Sequence, residues 1–161
     1  MSTPLPPELL TKFKDEPDCP AGTVTIDDLA AHWLAAPLGD QPNWAQSCVF
    51  VIGEVPGWAW EFVTCALPRL ATPIHAVILA AGPLEDLIQA HGLFMIDQIE
   101  ALAQTSARFR YVLSGVEFYD TDDAAEIDMF ERLAKLRGPA MKSGIPVGGP
   151  LPAADGVVSV D

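Results

Sequence analysis

Apolar residues recur every three to four positions along much of this chain, which is the spacing of amphipathic helices. The clearest early example is the segment 23–36. Thr25 is suited to cap its N-terminus, and Asp28 follows at the spacing of a capping-box partner. Its apolar stripe consists of Ile26, Leu29, Ala30, Trp33 and Leu34. The pattern therefore predicts a helix over residues 23–36.

The same spacing, interrupted by proline and glycine, predicts a series of short helices. They span residues 43–54, 58–67, 73–81, 83–91, 93–104, 106–113 and 122–137. Pro7 suits the first position of another short helix, and Asn43 and Thr121 suit N-caps. The apolar run 49–52 would also suit a buried strand, but its Ala, Gln and Glu flanks favour a helix.

The most punctuated stretch is 80–100, AAGPLEDLIQAHGLFMIDQIE. Gly82 predicts the end of one helix, and Pro83 the first residue of the next. The two acids that follow suit the positive end of that helix dipole. Gly92, after a histidine, predicts a second stop before residues 93–104.

These elements predict an all-α single domain of about six to eight short helices, arranged as a bundle or like helical repeats. We expect a Pro-rich arm at 1–22, the helical domain at 23–137, and a Pro/Gly-rich tail at 138–161. Residues 157–160 would suit an edge strand. At 161 residues, half of them hydrophobic, the chain has enough material for one core.

Charge is the strongest global signal, because the formal net charge is −13. Such a charge repels nucleic acid and anionic membranes, and it attracts basic partners. No apolar run approaches a membrane span and no secretory leader is evident, so we expect a cytoplasmic protein.

Cys19, Cys48 and Cys65 are too few and too widely spaced for a disulfide framework or a zinc site. Acidic surroundings should disfavour the Cys19 thiolate. No cofactor is implied.

Carboxylates and a histidine gather in one stretch, where they could hold a hard cation or act as a general acid and base. They are Glu85, Asp86, His91, Asp97 and Glu100. Each has a local structural reason: the first two complement a helix dipole, His91 ends a helix, and the last two form a solvated face. Glycine-rich phosphate loops and a G-x-S-x-G elbow are absent. An enzyme using this cluster is therefore an alternative, and no catalytic or metal residue is assigned.

Two other features suggest a binding surface. The last helix begins in an acidic run, and two tryptophans spaced two apart on a helix cannot both face one side. The predicted partner-binding residues are Asp122, Asp123, Glu126, Asp128, Trp58 and Trp60. We therefore predict a non-enzymatic acidic protein-binding module, of the immunity, inhibitor or adaptor type, with a basic protein partner. A nucleic-acid mimic that inhibits a DNA-binding protein is a sharper alternative.

A longer pattern is carried by residues 80–116. It consists of Ala81-Gly82-Pro83-Leu84-Glu85-Asp86-Leu87, His91-Gly92, Ile96-Asp97, Ile99-Glu100, Arg108-Phe109-Arg110 and Leu113-Ser114-Gly115-Val116. It resembles an uncharacterised bacterial domain family of unknown function. The resemblance covers about a quarter of the chain, or half if 44–79 corresponds to the preceding helices. The resemblance implies a compact all-α domain and no particular activity. It does not extend to the N-terminal arm or the tail.

Overall fold

The structure is a computed structural model that describes residues 1–36, 43–137 and 150–154. Within these ranges the regular structure is helical, apart from an isolated bridge between Pro4 and Thr25. The predicted all-α fold class is confirmed. Among the same residues, no helix is long and apolar enough to cross a membrane. The predicted edge strand at 157–160 and most of the predicted tail lie outside the described residues.

The chain divides into two compact units, Met1–Arg69 and Leu70–Asp161. The helices of the first unit are α1 (Pro7–Thr11), α2 (Ile26–Ala35), α3 (Trp44–Ile52) and α4 (Pro56–Ala66), followed by a 3₁₀ turn, Leu67–Arg69. α2 packs against α3 and α4. The run 49–52 is helical, as predicted.

The capping signals of the first unit are confirmed. Thr25 accepts a hydrogen bond from the Asp28 backbone N–H, and the Asp28 carboxylate accepts one from the Thr25 backbone N–H. Asn43 and Gln46 form the same reciprocal pair at the start of α3. Two backbone donors that each helix start would leave unpaired are thereby satisfied.

Glu61 of α4 holds the beginning of the chain. Its carboxylate accepts hydrogen bonds from the Ser2 hydroxyl at 2.8 Å, the Thr3 backbone N–H at 2.7 Å and the Thr3 hydroxyl at 2.6 Å. Burial alone would raise the pKa of Glu61, but these hydrogen bonds outweigh it and lower the pKa. The first residues are thus packed into the first unit, where Leu5, Leu9 and Leu10 are buried.

The second unit contains α5 (Pro73–Leu79), α6 (Glu85–Thr105), α7 (Ala107–Leu113) and α8 (Ala124–Leu136). A π-helical turn, Ala80–Leu84, joins α5 to α6 without a break. The predicted helix end at Gly82 and restart at Pro83 are therefore wrong. Pro83 lies inside the π turn, where the wider winding accommodates a residue that lacks a backbone N–H.

The predicted stop at His91-Gly92 is also wrong, because α6 continues through both residues. Gly92 is buried, and a Cβ built on it would lie 2.6 Å from the Met129 sulfur and 3.1 Å from the Met129 methyl. The missing side chain thus admits Met129 of α8 against the α6 backbone. Gly92 is a packing residue rather than a C-terminal cap.

Two further helix starts differ in outcome. Ser106 caps α7 by accepting a hydrogen bond from the Phe109 N–H, close to the predicted start. At α8, Asp123 is the N-cap, and its carboxylate accepts from the N–H groups of Ala125 and Glu126. The prediction of Thr121 as the cap is wrong. Thr121 instead accepts from the Asp123 N–H and donates to the Glu126 carboxylate.

Candidate protein-binding surface

Three of the four carboxylates in the predicted Glu85–Glu100 cluster make contacts within the protein, and the fourth, Asp86, is exposed. Arg132 of α8 donates to the Glu100 carboxylate at 2.9 and 2.5 Å and to Asp97 at 3.1 Å. The hydrogen bond from Arg132 lowers the pKa of Glu100. The expectation that Glu100 belongs to a solvated face is wrong, because it is half-buried in this ion pair.

His91 does not face these acids. At about 100° per residue, positions 91 and 100 lie on opposite sides of α6. Glu85 is engaged elsewhere, since its carboxylate accepts from the Glu117 backbone N–H at 3.1 Å. In the described part of the chain, no three His, Cys, Asp or Glu side chains are grouped as metal ligands would be. The cluster is thus distributed around α6 rather than gathered at one site.

The thiols are free and protonated at neutral pH. Burial, with a smaller contribution from Glu16, raises the pKa of Cys19, as the sequence suggested in direction. Burial raises the pKa of Cys48 to about 12. Burial also raises the pKa of Cys65, with a smaller effect from Asp27. None of the three has the depressed pKa of a nucleophilic cysteine.

The predicted acidic residues of α8 fall into two classes. Asp123 caps the helix, and the Glu126 carboxylate accepts from the hydroxyls of Tyr119, at 2.8 Å, and Thr121. Asp122 and Asp128 are exposed, and within the described residues they make no hydrogen bond or ion pair. The use of all four residues in binding stays a prediction, and Asp122 and Asp128 are the two that have no structural contact of their own among the described residues.

The tryptophans are less exposed than a binding anchor would be. Trp58 and Trp60 of α4 are both half-buried. Trp44 is buried in edge contact with His32, and Trp33 packs edge-on against Phe62. The predicted use of Trp58 and Trp60 in binding stays a prediction.

The most exposed aromatic residues are phenylalanines that the sequence did not single out. Phe94 of α6 is 77% exposed and its neighbour Leu93 is 51% exposed; Phe50 of α3, in the first unit, is 74% exposed. Phe94 lies seven residues after Leu87, which is buried, so helical periodicity places both near the same angle and predicts burial for both. No sequence signal distinguishes the two residues. In the structure, one is packed against neighbouring residues and the other is left exposed.

The contacts between α6 and α8 set the position of these residues. Residue numbers rise together along the two contacts, from Gly92 beside Met129 to Asp97 beside Arg132, so the helices run in the same general direction. Leu93 precedes Asp97 by four residues and Asp128 precedes Arg132 by four, which places each one turn earlier on the same face. Leu93 and Asp128 therefore border the same seam.

The arginines of the second unit are engaged by groups of the same unit. Arg108 is buried and donates to the backbone carbonyls of Leu70 and Pro152, at 2.9 and 2.8 Å. Arg110 donates to the Ala103 carbonyl at 2.7 Å. Arg137 donates to the Val116 carbonyl and lies over the Phe118 ring, with 4.6 Å from guanidinium carbon to ring centroid. Lys135 is exposed, but the exposed carboxylates of the second unit outnumber it among the described residues.

Comparison with known proteins places the chain in one family. Searches of curated proteins and of solved structures gave no significant match. Residues 35–141 match the sequence profile of DUF6869, described as a family of unknown function. This span contains the whole stretch 80–116 whose pattern resembled an uncharacterised domain family. Because the match covers more than half of the 161 residues, the chain belongs to the DUF6869 family.

Proposed function

We propose that this protein is a non-enzymatic, acidic binding module of the cytoplasm whose partner is a basic protein. The observation that carries the proposal is the division of charge in the second unit. Its described arginines are bound to carbonyls, an ion pair or an aromatic ring, whereas Asp122 and Asp128 face outward without a partner. With a net charge of −13, such a surface steers basic proteins toward it.

The engagement of the predicted catalytic residues supports a binding role over an enzymatic one. A general acid or base must be able to reach a substrate. Glu100 is instead held in an ion pair by Arg132, and Glu85 accepts from the backbone; Asp97 also contacts Arg132 but stays exposed. Immunity, inhibitor and adaptor proteins all fit this description, since each acts by occupying a surface of another protein.

The test is calorimetric titration of the full chain with basic proteins captured from the native host, at low and high salt. We expect affinity to fall as salt rises. The double variant Asp122→Asn with Asp128→Asn should weaken binding roughly threefold to tenfold, as loss of two rim charges does. The matched control neutralises two exposed acids of the first unit, Glu8→Gln with Asp15→Asn.

Two results would count against the proposal: no basic protein binds, or the α8 variant and the control lose equal affinity. Asp123 and Glu126 are left intact because they hold the start of α8, and their reversal would confuse folding with binding. If duplex DNA competes for the captured partner, the nucleic-acid-mimic form of the function applies.

A further inference from the structure

We propose that the outward face of α6 is the docking site for a basic amphipathic helix of the partner protein. This α6 face is defined by Ala90, Leu93, Phe94, Asp97 and Ala101, with Asp128 of α8 on its border. The inference rests on the proposed function and deepens it by naming the surface and the form of the partner.

The α6 face has the spacing of a helix-binding surface. Positions 90, 93, 94, 97 and 101 follow the i, i+3, i+4, i+7, i+11 pattern of one helix face, and all five residues are exposed. They extend over about 16 Å, at 1.5 Å per residue, which is long enough to contact about three turns of a helix. Phe94 and Leu93 supply the apolar anchors that such recognition uses.

The charge around this face selects the occupant. α6 runs for 21 residues with four carboxylates and no lysine or arginine. Arg132, a cation that reaches the face from α8, is paired with Asp97 and Glu100, and Lys135 of the same helix is exposed. Asp86 and Asp128 are exposed beside the apolar residues. An apolar strip with acidic borders fits a helix whose apolar face is flanked by lysine or arginine.

The same charge disfavours two other occupants. A second copy of this chain would bring −13 against −13 across an apolar contact of only a few residues. An anionic membrane surface would be repelled in the same way. A basic amphipathic helix, in contrast, satisfies the apolar anchors and the charge together.

The experiment uses a synthetic helical peptide with leucines on one face and lysines on the other, titrated into the full chain. Two further peptides serve as probes: one with glutamate in place of every lysine, and one with alanine in place of every leucine. Protein variants are Phe94→Ala, Leu93→Ala and Phe50→Ala. Phe50 is the matched control, because its exposure of 74% equals that of Phe94 within a few percent and it belongs to the first unit.

We expect the Leu/Lys peptide to bind wild type and the Phe50 variant equally, and the Phe94 variant roughly tenfold to thirtyfold more weakly, the loss typical of an aromatic hot spot. Leu93→Ala should lose a smaller factor. Neither the glutamate peptide nor the alanine peptide should reach comparable affinity. Circular dichroism confirms that each variant folds, which is expected because the altered side chains are largely exposed.

Equal binding of the Leu/Lys peptide to wild type and the Phe94 variant would overturn the α6 site, as would no binding at all. Equal binding of the glutamate peptide would overturn the charge argument. A dimer in light scattering that Phe94→Ala dissociates would show that a second copy occupies the face. In each case, native basic proteins that still bind and still respond to Asp122 and Asp128 would leave the proposed function standing.

Discussion

Gly92 offers a sharp test of how α6 and α8 pack. In a helix interior, alanine is more favourable than glycine by about 0.8–1.0 kcal/mol, so Gly92→Ala would stabilise α6 if nothing lay nearby. A Cβ at that position would instead lie 2.6 Å from the buried Met129 sulfur. Overpacking of this kind costs about 1–3 kcal/mol. We expect a net destabilisation of about 1 kcal/mol.

The effect of Gly92→Ala on the free energy of unfolding should change sign in a Met129→Ala background. In Met129→Ala the sulfur and methyl are gone, so Gly92→Ala should then stabilise by about 1 kcal/mol. Gly57→Ala is the control, because Gly57 is helical, exposed and free of atoms within 4 Å of a built Cβ. Urea unfolding measures wild type, the two single variants, the double variant and the Gly57→Ala control, with a thermal midpoint shift of about 2–4 °C per kcal/mol as a check. An identical effect of Gly92→Ala in both backgrounds would refute the packing argument.

Three further predictions concern a cap, an ion pair and a thiol. Asp123→Ala removes the acceptor at the start of α8 and should cost about 0.5–2 kcal/mol in urea unfolding, whereas Asp122→Ala should be nearly neutral. The pKa of Glu100 is lower in the folded protein than in the unfolded chain, where it lies near 4.5. The ionised carboxylate therefore stabilises the fold at pH values above 4.5, and this stabilisation is lost as pH falls through the folded pKa. The stability advantage of wild type over Arg132→Met should therefore shrink in acid; a constant difference would contradict it. Cys48, with a pKa of about 12, should resist thiol reagents at pH 8 until the protein unfolds, and rapid native labelling would contradict its burial.

The sequence predicted a helix start correctly where a side chain at that start caps the backbone N–H groups of the same helix. Thr25 with Asp28, Asn43 and Ser106 each satisfy backbone N–H groups within three residues, so no distant partner decides the outcome. Pro7 likewise begins α1 as predicted. The start of α8 shows the limit of this reasoning. Asp123 took the cap role expected of Thr121 because both are good acceptors and only the backbone path chooses between them.

Local signals failed where a contact from another element overrode them. Gly82-Pro83 and Gly92 have the chemistry of helix breaks, yet the first pair winds into a π turn and the second receives Met129. The candidate site was affected in the same way. Glu100 was expected on a solvated face, but Arg132, more than thirty positions later, pairs with it and leaves it half-buried, whereas Asp97 is exposed as predicted.

The sequence by itself determined the helical class, most helix starts and the strongly acidic character, because these depend on side chains within a few positions or on a simple sum of charge. The tertiary structure alone decided that α6 is continuous, that Arg108 is buried against backbone carbonyls, and that Phe94 is exposed while Leu87 is buried. Helical periodicity fixes the angle at which a side chain leaves its helix. Whether a side chain at that angle is buried depends on which other helices pack against that side. Within the described residues, Phe94 remains mostly exposed.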